Sequence, residues 1–147
     1  MYKVLIPLDG SEAALQAVHH VLRWVAGGLK LRAVVANVQS SANLYELVVA
    51  HDPQVLRQVS DAAGRDLLRP GVQLLQAAGV QVEQAVAQGD PAQALLELAE
   101  AHACDAVVLS AHGSSGLLER VFGSVSQALL QHARIPVTVV RTDEPGA

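Results

Sequence analysis

The sequence predicts a single α/β domain: a five-stranded parallel sheet with helices on both faces. Three observations carry this. Short apolar runs alternate with stretches of helical periodicity along the whole chain. Apolar residues make up 51% of the chain and aromatics only 3%, which suits helices laid on a sheet better than an aromatic-rich sandwich. The length, 147 residues, matches one domain that can bury a core without staples.

Lys3 to Leu8 is a continuous apolar run, as expected for a strand covered on both faces. Asp9-Gly10-Ser11 ends it, and Ser11 can cap the next helix. Ala14, Val18, Val21, Leu22 and Val25 give that helix an apolar stripe, and Gly27-Gly28 stops it. Leu31 to Val38 is a second strand; residues 39 to 52 show no period. Asp52-Pro53 opens a long helix through about Ala78, which Pro70-Gly71 should kink or divide and Gly79 should end.

Val80 to Val86 is a third strand. In Gly89-Asp90-Pro91, Asp90 takes the N-cap, and Gln93 is placed for a capping box. That helix runs to about His102, with Ala94, Leu95, Leu98 and Ala99 inward. Cys104-Asp105 opens a fourth strand, whose apolar run is Ala106 to Leu109 and whose end is Ser110. Ser124 to His132 is the last helix, with Ser124 as N-cap, and Val137 to Arg141 the fifth strand. Thr142 to Ala147 reads as a frayed tail. Pro136 suits the head of an edge strand, because its missing N–H is harmless there. An exposed edge strand invites a second chain, so a homodimer through Val137–Arg141 is expected.

The net charge is −4 and no basic run exists, so nucleic acid and anionic membranes are poor partners. No apolar run approaches the ~20 residues that span a bilayer, and the chain opens directly on a strand rather than on a leader. The single cysteine, Cys104, cannot form an internal disulfide and reads as a small buried thiol. A cytoplasmic protein is the expectation.

Residues 110 to 126 carry the most information. They read as strand end, glycine-bearing loop and helix start. Such a segment exposes backbone N–H groups at the positive end of a helix, where phosphate oxygens bind. It holds no obvious catalytic group, so it looks built to hold a nucleotide-like anion rather than to transform it.

Four segments together resemble the universal stress protein family over essentially the whole chain. They are Val4 to Glu12, Gly89-Asp90-Pro91, Cys104 to Leu109, and Gly123 to Ser126 continuing into Pro136 to Arg141. The resemblance implies strand order 3-2-1-4-5, with the ligand at the carboxyl ends of strands one and four. The general rule for open α/β sheets puts a crevice at the same reversal of strand order.

The family's nucleotide-binding members carry glycine, two residues, glycine, nine residues, glycine, then serine or threonine. Aligned here, the pattern falls on Ser110, Gly113, Gly123 and Ser124, so serine stands at the first glycine. Starting at Gly113-Gly116 instead leaves only six residues before Gly123 and is rejected. A serine there adds a Cβ and a hydroxyl: it narrows the approach, or turns aside and donates to the ligand.

The implied ligand is ATP, with or without magnesium, or a related adenine nucleotide. Asp9 and Val38 would meet the adenosine end, and Gly113, Gly123, Ser124 and Val125 the phosphates. The full set of implied binding residues is Pro7, Leu8, Asp9, Val38, Ser110, His112, Gly113, Gly123, Ser124, Val125 and Ser126.

Each has a plainer reading. Asp9 is also a turn former before Gly10 and a cap for the first helix. Gly123-Ser124 is also an ordinary helix entry. His112 and Arg120 read as loop polarity, Trp24 as packing, and adjacent His19 and His20 cannot share a metal. The phosphate-loop lysine motif, the dinucleotide fingerprint and the nucleophile elbow are all missing from the sequence. The expected function is therefore a nucleotide-responsive dimer that signals to unidentified protein partners in a stress response. The alternative is a dimer that acts through protein contacts alone, Ser110 having abolished nucleotide binding. A slow ATP hydrolase using His112 is the weakest reading.

Overall fold

A computed structural model describes residues 1–39, 53–111 and 123–141. In chain order the elements are β1 (Tyr2–Pro7), α1 (Glu12–Ala26), β2 (Leu31–Gln39), α2 (Pro53–Ala77), β3 (Gln81–Gln88), α3 (Pro91–Ala101), β4 (Ala106–Ala111), α4 (Ser124–His132) and β5 (Val137–Arg141). The strands form one parallel sheet in the order β3-β2-β1-β4-β5.

Successive strand side chains point to opposite faces, and the core divides accordingly. Val4 and Ile6 of β1, Ala33 and Val35 of β2, and Ala106 and Val108 of β4 pack with α1 and α2. Leu5, Val34, Ala36, Val107 and Leu109 pack on the other face with Leu95 and Ala99 of α3 and Leu129 of α4. Helical spacing supplies the matching stripes: Ala14, Ala17, Val18 and Val21 on α1, and Leu68, Val72 and Leu75 on α2 are buried.

Of the kink or division expected at Pro70-Gly71, the division does not occur: α2 continues through both residues. An interior proline costs about 3 kcal/mol. Here the buried Leu68, Val72 and Leu75 lie on either side of it, and each fully buried side chain returns about 1.5–3 kcal/mol. Gly71 has its own reason: a Cβ there would stand 2.5 Å from the Leu8 Cδ1 methyl, so a larger residue would force that buried side chain to shift.

The capping expectations hold in part. Ser11 caps α1, its Oγ accepting from the Ala14 N–H at 3.0 Å. Asp90 caps α3, accepting from the Gln93 N–H at 3.0 Å. The capping box is not closed, because the Gln93 side chain donates instead to Glu97 at 3.1 Å. At α4 the N-cap is Gly123, not Ser124; Ser124 is the first helical residue. Strand β4 starts at Ala106, after Cys104-Asp105, and runs past Ser110 to Ala111, because β5 pairs with it that far. β5 lies at the sheet edge and pairs with β4 alone. The Asp52 cap, the residue 40–52 segment and the 142–147 tail lie outside the described residues.

Candidate functional site

The chain runs outward from β1 to β2 and β3, then returns to β4 on the other side of β1. That reversal opens a crevice between β1 and β4. The register shows how. β1 pairs with β2 over six residues, up to Pro7 opposite Ala36. Its pairing with β4 is confined to Val4–Ala106 and Leu5–Val107.

Pro7 explains the early end. Along a strand, successive backbone groups face alternate neighbours. The Leu8 N–H donates to Ala36 O of β2 at 2.8 Å, so the Pro7 position faces β4. Proline has no N–H to give there. The two strands part, and a cavity of about 340 Å³ stands between their carboxyl ends.

Its walls come from six elements and the turn after β1. Pro7, Leu8 and Asp9 form one side, and Ala36, Asn37 and Val38 of β2 continue it. Leu109 and Ser110 of β4 stand opposite. Ala14 of α1 and Pro91 and Leu95 of α3 close the flanks, and Gly123, Ser124, Val125 and Ser126 bring in the head of α4. Thus the cavity joins nine of the eleven residues singled out from sequence. His112 and Gly113 lie outside the described residues, as does Arg120.

Asp9 is built into a turn. Its Oδ1 accepts from the Ser11 N–H at 2.9 Å and the Ser11 hydroxyl at 2.5 Å. Asp9 therefore does not cap α1 itself; it braces the residue that does. Gly10 turns with φ +86, a conformation that favours glycine.

Asn37 was not anticipated. It is buried to 4% exposure; its Nδ2 donates to Leu8 O at 2.9 Å and its Oδ1 accepts from Gln39 at 2.9 Å. It fixes the carbonyl just before Asp9. A lone amide inside an apolar strand must be bonded, and that was the available signal. Pro91 and Leu95 carried no such signal, because nothing local says which end of the sheet α3 starts from.

The head of α4 supplies donors. Gly123 has no side-chain oxygen, and no side-chain cap bond forms. The first intrahelical donor is Gln127, bonded to Gly123 O at 3.0 Å. The N–H groups of Ser124, Val125 and Ser126 precede it and sit at the positive end of the helix dipole. Ser126 is only 4% exposed as a residue, but no fully buried side-chain oxygen or nitrogen among the described residues lacks a partner, so its hydroxyl, which makes no hydrogen bond there, opens onto the cavity. Among the described lining residues, Asp9 is the one formal charge.

Ser110 does not plug the cavity. It is 8% exposed, and its hydroxyl turns aside to donate to Ala14 O at 3.3 Å. Elsewhere, burial pushes the Cys104 thiol up to about 11, the state of an unreactive buried cysteine. Trp24 meets His20 edge-on, with ring centres 5.0 Å apart. No cluster of metal-ligating side chains occurs among the described residues, and no helix among them is long and apolar enough to cross a membrane.

Known proteins share this architecture. A universal stress protein YxiE from Bacillus subtilis is 30% identical, with 95% of this chain and 98% of that protein covered. The solved structure of the hypothetical protein MJ0577 matches with a TM-score of 0.76 at 20% identity, covering 98% of each chain. A universal stress protein in complex with cAMP matches at 0.67, with 23% identity and 97% and 98% covered. One from Arabidopsis thaliana with AMP bound matches at 0.69, with 22% identity and 97% and 93% covered. The family model described as the universal stress protein family spans residues 1–141. This chain belongs to the universal stress protein family.

Proposed function

We propose that the cavity binds an adenine nucleotide as a regulatory ligand. The adenosine end lies along Asp9 and Val38, and the phosphate sits on the N–H groups that open α4. One observation carries the reading: the Ser126 hydroxyl, with no hydrogen bond among the described residues, opens on the same cavity as an uncapped helix head. A phosphate oxygen there would accept from the helix amides and the Ser126 hydroxyl together. The AMP and cAMP found in two structural neighbours support the ligand class.

The described lining offers no cation against a polyphosphate. AMP and cAMP, the nucleotides in two structural neighbours, rank ahead of ATP, with or without magnesium. The proposed role is that of a signalling module, not an enzyme, working in the cytoplasm, where a single free cysteine is at home.

Thermal melting with adenosine, AMP, cAMP and ATP tests this. A ligand at a hundredfold excess over its Kd stabilises by about 2.7 kcal/mol, a shift of several degrees for a chain this size. No shift with any of the four at millimolar concentration overturns the reading.

A second reading has its own observation. β5 is an edge strand, and Val137 to Val140 are only half-buried. A homodimer through this edge would cover them and present protein partners with a fixed face. Sedimentation at micromolar concentration should give twice the chain mass; a monomer removes this reading without touching the first.

A further inference from the structure

We propose that Ser110 is a positioning residue: its hydroxyl ties β4 to the first turn of α1 and thereby holds the Asp9 side of the cleft in place. The inference rests on the nucleotide reading only for what the cleft holds; the tie itself is a property of the free protein.

A serine at this position can obstruct, donate to a ligand, or brace. Obstruction fails, because the cavity stays open with Ser110 in its wall. Donation fails, because a hydroxyl has one proton and that proton goes to Ala14 O at 3.3 Å. Bracing fits what surrounds it. The Ala14 N–H is held by the Ser11 hydroxyl at 3.0 Å, and the Ser11 N–H and hydroxyl are both held by Asp9. Ala14 is thus gripped on both its backbone groups, from β4 through Ser110 and from the Asp9 turn through Ser11.

The result is a continuous chain of contacts, Ser110–Ala14–Ser11–Asp9, spanning the crevice where β1 and β4 have no ladder of their own. Without Ser110, the β1 side of the crevice loses this cross-connection. A glycine cannot make it, so clearance and bracing are alternatives at this position. This chain has the brace.

The test has two readouts. The first needs no ligand: hydrogen exchange of the free protein at Ala14, Leu15 and Val18. Ser110→Ala should speed exchange there, and Ser110→Thr, which keeps a hydroxyl, should restore protection. The second is adenosine affinity. Ser110→Ala and Ser110→Gly should each weaken it by about three- to tenfold, the range for one neutral hydrogen bond. In an Asp9→Asn background the Ser110→Ala effect should largely vanish, which a loss of general stability would not produce.

Unchanged exchange in Ser110→Ala overturns the tie. Tighter adenosine binding by Ser110→Gly shows obstruction and also overturns it, as does an undiminished Ser110→Ala effect in the Asp9→Asn background. If α1 loosens as expected but the parent protein binds no adenosine, the tie stands and the nucleotide reading falls.

Discussion

Replacing Ser126 by Ala separates a ligand contact from a structural one. The substitution removes one oxygen and keeps Cβ, so the close packing of a residue only 4% exposed is hardly altered. The lost hydroxyl makes no hydrogen bond among the described residues. The free protein should therefore change by less than about 0.5 kcal/mol, the usual range for a substitution that breaks no specific feature. In the complex the hydroxyl donates to a charged phosphate oxygen, worth about 1.5–3 kcal/mol. Affinity for AMP should fall roughly tenfold to a little over a hundredfold, while affinity for adenosine, which lacks the phosphate, stays put. Urea unfolding reads the first number and titration calorimetry the second. Equal losses for AMP and adenosine would refute the placement of phosphate at α4. A drop of more than about 1 kcal/mol in the free protein would mean the hydroxyl has a structural partner.

Three other substitutions or conditions test the fold around the site. Gly71→Ala should destabilise by about 1–3 kcal/mol despite alanine's better helix propensity, because the new Cβ meets Leu8 Cδ1 at 2.5 Å; a more stable variant contradicts the close packing of α2 on β1. At Glu83, burial pushes the carboxyl up, but the His102 hydrogen bond and the nearby Lys3 outweigh it and hold the group below its usual 4.5. A depressed carboxylate stabilises above its unfolded value and loses that contribution as pH falls through the folded one. Acid unfolding of Glu83→Gln should accordingly show less loss of stability below pH 4.5 than the parent, and identical profiles would dismiss the pair. Cys104, protonated and buried with its thiol at about 11, should label with an alkylating reagent at pH 8 only as fast as the chain unfolds; rapid labelling of the folded protein contradicts its burial.

Most of the architecture was legible because it depends on local periodicity. The alternation of apolar runs and helical stripes places nine elements, and α4 and β5 fall on their expected residues. The differences share a cause: tertiary packing decides where local rules point elsewhere. Of the kink or division expected at Pro70, the division is absent, because buried neighbours on both sides carry α2 through it. Ser124 is the better capping residue by type, but the chain enters α4 one residue earlier, at Gly123. Ser110 looks like a strand end, but β5 extends the ladder to Ala111.

The site was legible in its polar and glycine-bearing positions, because turns and helix entries follow from residue type. Its apolar flank was not. Pro91 and Leu95 read from sequence as the start of an ordinary amphipathic helix, and only the topology brings α3 over the crevice. Asn37 lay between these cases. Its burial follows from its strand, but its partner Leu8 O is 29 residues away.

The most direct test of the nucleotide site is a crystal structure grown with AMP. Phosphate density is expected within hydrogen-bonding reach of the Ser124–Ser126 amides and the Ser126 hydroxyl, with the adenosine beside Asp9 and Val38. An empty crevice at saturating AMP, or nucleotide bound elsewhere on the chain, would contradict it.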